Sequence, residues 1–216
     1  ELSAGSAVTL EMTAYGSEGQ GVARHNGMAV FVPGAICGET VEAEIKKAAP
    51  SFAEAKLQKI LRPSAERVIP PCPHYAECGG CDILHMSYAE QLRMKRETVR
   101  SAMERIGGFR GIEILPCIGA DKPEHYRNKA VFQFANAEKT NKKNLRQVLS
   151  GYYEQKSHKL VPVETCMIQN EEAMTAKRIV AEWANLFDIR EAAYGAQNRG
   201  RNDGCDSNNR RASAFG

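Results

Sequence analysis

The sequence predicts an α+β fold: a small N-terminal barrel of about five antiparallel strands, then a central domain of antiparallel strands flanked by helices and carrying a cysteine-rich loop. Three observations point there. Short alternating runs with glycine-rich corners fill residues 1–61, two segments with helical periodicity stand at 87–107 and 170–187, and CPHYAECGGC gathers three thiols between Cys72 and Cys81.

In the first region, Val8, Leu10 and Met12 alternate with Thr9, Glu11 and Thr13. Gly21–His25 and Met28–Val32 flank Asn26-Gly27, the strongest short hairpin signal. Over Thr40–Lys47, Val41, Ala43 and Ile45 face one way and Glu42, Glu44 and Lys46 the other, and Ala53–Leu61 completes the set. Five such strands suggest an oligonucleotide-binding type of barrel, although any small closed barrel would look the same. Pro63, Pro70 and Pro71 mark a linker to the cysteine loop.

Prolines and glycines deny Cys72–Cys81 a continuous ladder, so it reads as a loop that aims sulfurs at one place. Cys72, Cys78 and Cys81 leave a tetrahedral site one ligand short, and Cys166 is the candidate fourth. Three ligands from one loop and one from far away suit an iron-sulfur cube better than zinc. Zinc stays open, with His74 and His85 as nitrogen donors, and Cys166 alone reads equally well as a small core residue.

Next comes a helix over 87–107, with Ser87 and Glu90 as a capping box and Gly107 as its stop. Leu92, Val99 and Ile106, with Tyr88 and Met103, form its apolar stripe, and Arg93, Lys95, Arg96, Arg100 and Arg105 a solvated face. HYRNKAVFQFA alternates as a strand. A lysine-rich turn at 136–144, strands at 145–153 and 159–163, and the return to Cys166 follow. Asn170 caps a second helix whose buried stripe is Ala173, Ala176, Val180, Trp183 and Phe187. From about Glu191 the chain turns rich in Gly, Asn and Arg, and 191–216 reads as a disordered or non-native tail.

The composition, 43% hydrophobic and 25% charged, is that of a soluble globular protein, and no apolar run approaches a membrane span. No signal region precedes the first strand, so a cytoplasmic, reducing setting is expected. There, seven cysteines favour metal binding over disulfides. A net charge of +3 permits a nucleic-acid partner without requiring one.

The order of these parts resembles the N-terminal half of the bacterial S-adenosylmethionine-dependent RNA (uracil-5-)methyltransferases, which act on 23S rRNA or tRNA. The likeness rests on the barrel, CPHYAECGGCDILHMSYAEQLRMKRETVRSAMERIGG, YRNKAVFQFA and GYYEQKSHKLVPVETCMIQ, and covers roughly residues 1–190. It implies a TRAM barrel at 1–62, a central domain at 63–168 and a helix at 169–190 leading toward a methyltransferase domain. Cys72, Cys78, Cys81 and Cys166 would be the ligands of a [4Fe-4S] cluster, and Arg127, Asn128 and Lys129 would lie near the target nucleotide of an RNA. The family's S-adenosylmethionine site and catalytic residues have no counterpart here, and neither Cys117 nor Cys205 sits in a nucleophile's pattern. The expectation is therefore an inactive, monomeric, RNA-binding half, truncated or frame-shifted near residue 190. The alternative is a non-enzymatic RNA-binding module with a structural four-cysteine metal site.

Overall fold

The computed structural model describes residues 2–140 and 146–189; the expected tail at 191–216 and the middle of the lysine-rich turn lie outside them. The architecture is α+β. Six strands, β1 (Ala7–Glu11), β2 (Ala14–Tyr15), β3 (Gly21–His25), β4 (Met28–Val32), β5 (Thr40–Ala48) and β6 (Phe52–Arg62), form one sheet in the order β1-β5-β6-β4-β3-β2. All its pairings are antiparallel except β4 with β6. Sequence alternation set the register: Val41, Ala43 and Ile45 of β5 are fully buried, with Leu10, Val30 and Val32 in the same core. Asn26 and Gly27 both adopt positive φ, 49° and 82°, which a two-residue turn matched to strand twist requires.

The proline-rich stretch after β6 is no free spacer. The Glu39 carboxylate, fully buried, accepts from Arg67 Nε at 2.6 Å and Nη2 at 2.7 Å, and from the amides of Ile36 and Ser64. Arg67 also donates to the Gly34 carbonyl, and its backbone bridges to Met86. The connection is thus bolted to the first sheet just ahead of α1 (Tyr88–Arg105).

Ser87 caps α1 by accepting from the Glu90 amide, but the reciprocal half of the capping box is missing. Glu90 is buried and turned away, gripped by Arg93 at 2.6 and 2.5 Å and by the Tyr15 hydroxyl, which itself accepts from the Cys37 amide. That cluster joins α1 to the first sheet. The predicted stripe is a correction: α1 buries Glu90 and Met94, while Val99 is 50% and Ile106 88% exposed. Gly107 directly follows the Ile106 C-cap, and the left-handed conformation falls one residue on, at Gly108.

A second sheet runs β7 (Gln133–Thr140), β8 (Arg146–Tyr153), β9 (Leu160–Pro162), all antiparallel. The expected strand from Tyr126 begins only at Gln133. Ahead of it, Arg127 makes one parallel bridge to Gln169 and the rest pairs with no strand among the described residues, so alternation without a neighbouring edge did not make a strand. The closing helix, α2 (Glu171–Leu186), is capped by Asn170 as expected, but its face is reversed. It buries Lys177 and Ala184 against the second sheet and leaves Val180, Trp183 and Phe187 exposed.

Burial pushes the Glu39 carboxyl up, but the Arg67 guanidinium and the two amides outweigh it and hold the group below the ordinary carboxylate range. Its contribution is present above the unfolded value of about 4.3 and is lost as pH falls through the lower folded value. Glu39→Gln should therefore cost about 3 kcal/mol at pH 7 in urea unfolding and lose less near pH 3. Equal stability of the two proteins at pH 7 would contradict this role.

Candidate metal centre

The loop Cys72–Cys81 folds on itself. Tyr75 donates its amide to the Cys72 carbonyl, Cys78 to that of His74 at 2.7 Å, and Gly80 to Cys78 Sγ at 3.4 Å. It then docks on the end of β8: Gly79 donates to the Tyr153 carbonyl at 3.0 Å, and Cys78 bridges to Glu154. A Cβ on Gly79 would stand 2.9 Å from that carbonyl oxygen and 3.0 Å from Gln155, so only glycine permits this approach. From β8 the chain returns through β9 to Cys166.

All four cysteines predicted as ligands, Cys72, Cys78, Cys81 and Cys166, line one small cavity with Tyr152, Val163, Ile168 and Arg127. None is in a disulfide. Among the described residues, no three His, Cys, Asp or Glu side chains are gathered tightly enough to hold one metal ion.

Burial, then the charges of Cys166, Cys78 and Cys72, push the Cys81 thiol up to about 11; burial also raises Cys78. Both shifts favour the protonated thiol, and a metal must displace protons to bind.

The two histidines part company. His74 lines the cavity, whereas His85 is buried elsewhere with Nδ1 2.6 Å from the Tyr75 hydroxyl. Burial, aided by the Arg67 charge, pushes its imidazole down to about 4, so it is neutral, and it is not among the residues that line the cysteine cavity.

Arg127, Asn128 and Lys129 are all exposed. The Arg127 backbone is clamped between the Ile168 carbonyl and the Asn170 amide, at 2.8 and 3.0 Å, and its side chain borders the cysteine cavity and the two wider clefts beside it. Tyr126, 65% exposed, stands next to it. Of the three, Arg127 lies at the rim of the cysteine cavity.

Three neighbours escaped sequence reasoning. Lys177, buried, donates to the Val163 carbonyl and stands over the Phe132 ring; burial pushes its ammonium down, while Glu164 and Cys166 act against that. Tyr152 is a cavity wall, and Gln169 is fully buried beside it. An ionisable residue in an otherwise small-residue helix face was a signal for Lys177; nothing local marks the other two.

Residues 3–57 match the family described as TRAM domain. A protein of Clostridium tetani named an uncharacterized RNA methyltransferase is 39% identical over 184 residues, which is 85% of this chain and 38% of that protein. One of the same description from Halalkalibacterium halodurans is 38% identical over 200 residues, 92% of this chain and 41% of that one. The chain thus spans about two fifths of the length of these curated relatives. Among solved structures, the tRNA (uracil-54, C5)-methyltransferase of Pyrococcus abyssi in complex with S-adenosyl-L-homocysteine superposes with a TM-score of 0.52 at 22% identity, over 84% of this chain and 37% of that one, a likeness of fold.

Mild oxidation of the metal-free chain should link Cys166 to a loop cysteine, read by peptide mapping. Gly79→Val, which drives the loop off β8, should reduce that product several-fold. Oxidation that pairs the loop cysteines only with each other would contradict the arrangement.

Proposed function

We propose that this chain, which belongs to the RNA methyltransferase family, is the RNA-binding, iron-sulfur-containing N-terminal half of an S-adenosylmethionine-dependent RNA (uracil-5-)methyltransferase acting on 23S rRNA or tRNA. The observation that carries the proposal is a single cavity lined by Cys72, Cys78, Cys81 and Cys166 with Arg127 on its rim.

The donor set fits a [4Fe-4S] cluster. It is all sulfur, with an apolar surround, and each cysteine of a cube binds its own iron, so the four thiols need not meet at one point. When bound, the cluster would act as a clasp between the Cys72–Cys81 loop and the start of α2. The chain's own residues would do the rest. Arg127 and Lys129 would meet RNA phosphates, and Asn128 and Tyr126 would offer hydrogen bonding and a stacking surface to a splayed base.

The first sheet supports an oligonucleotide-binding barrel as the second grip on RNA. β1 and β2 are one run interrupted at Met12–Thr13, paired with β5 at one edge and β3 at the other. Taken as one strand, they make five and bring the two edges together.

No residue here is assigned to S-adenosylmethionine; that site would belong to the stretch by which the relatives are longer. Val180, Trp183 and Phe187 on the outer face of α2, with the last two rings 5.8 Å apart, would cover that domain in a complete member. The site would work in a reducing, cytoplasmic setting, in a monomer.

Anaerobically purified chain should carry about four iron and four sulfide, and Cys166→Ser should lose most of both; a colourless protein with stoichiometric zinc would overturn the cluster. It should bind uridine-containing RNA without transferring a labelled methyl group. Arg127→Ala with Lys129→Ala should weaken binding and lower the salt slope by about two. Methyl turnover, or unchanged RNA affinity, would contradict the proposal.

A further inference from the structure

We infer that Tyr152 donates its hydroxyl proton to a sulfur of the centre held by the four cysteines, with Gln169 as its positioning residue, and that this bond raises the centre's reduction potential. The inference rests on the iron-sulfur proposal above.

Three buried polar atoms at this place lack a well-formed hydrogen bond, the Tyr152 hydroxyl and both Nε2 and Oε1 of Gln169, although the Gln169 carboxamide stands near enough to act on the phenol. Buried polar groups in folded proteins are nearly always satisfied, so such a concentration calls for a ligand atom. Tyr152 supplies wall to the same cavity as the four thiols, and Gln169, fully buried, stands beside it off the cavity wall.

Neither residue is free to look elsewhere. The Tyr152 ring packs 5.4 Å from Phe132, and its backbone pairs with Val161 in the β8–β9 ladder. Gln169 is fixed by His125 Nδ1, 2.9 Å from its carbonyl, by its bridge to Arg127, and by the α2 cap that follows it. A phenol donates through one proton and a carboxamide through two, and thiolate or sulfide sulfur accepts. Gln169 Nε2 donating to the phenol oxygen would aim the O–H into the cavity.

A hydrogen bond to sulfur draws electron density from the centre and favours its reduced form. The test uses this chain reconstituted anaerobically with iron and sulfide, with potential read by titration followed by electron paramagnetic resonance. Tyr152→Phe should keep its iron and shift the midpoint negative by about a tenfold change in the oxidised-to-reduced ratio, 59 mV for a one-electron couple. Gln169→Met should shift it the same way by less. Tyr153→Phe, altering an exposed ring set edge-on to His158, should not shift it.

Full iron content with an unmoved potential in Tyr152→Phe overturns the inference and leaves the cluster standing. Should Tyr152→Phe fail to retain iron, Gln169→Met decides alone, and an unmoved potential there overturns it. A wild-type chain that takes up no iron sinks the cluster proposal first, and this inference with it.

Discussion

The contact on which the rest depends is backbone against backbone: the Gly79 amide on the Tyr153 carbonyl, at a separation that leaves no room for a side chain. It sets a loop with no regular structure of its own onto the end of a strand. Because β8 continues into β9 and then Cys166, docking the loop there closes an 85-residue excursion of the chain around one cavity. Without it, three thiols and the fourth would belong to separate parts of the molecule.

Two charged clusters, each around a buried carboxylate, carry that local order to the first sheet. Arg67 on Glu39 fixes the approach to the loop, and Arg93 with Tyr15 on Glu90 fixes the start of α1. Both place a carboxylate inside and saturate it, which makes the junctions specific in geometry as well as strong. The same arrangement holds Arg127 at the rim, since its backbone is tied to the 168–170 segment immediately after Cys166. A metal clasp and an RNA-facing edge would then share one rigid support.

How much of this was legible in the sequence follows from the range of the interactions. Local patterns transferred well: the β5 alternation, the Asn26-Gly27 turn, and the caps at Ser87 and Asn170 reappear residue for residue. Where burial depends on a neighbour remote in sequence, pattern misled. HYRNKAVFQFA alternates but finds no sheet edge until Gln133, and the stripe of α2 points outward because the face carrying Lys177 and Ala184 packs on the second sheet. Tyr152 and Gln169 carry no motif, and only the fold sets them side by side.

The central assertion, four distant sulfurs around one inorganic centre, is tested most directly by differential alkylation of the anaerobically isolated chain followed by peptide mapping. Cys72, Cys78, Cys81 and Cys166 should resist labelling together and become reactive together when a chelator and a reductant strip the centre, while Cys37 and Cys117 label throughout. Labelling of Cys166 at the rate of Cys117, with the loop cysteines still protected, would contradict the account.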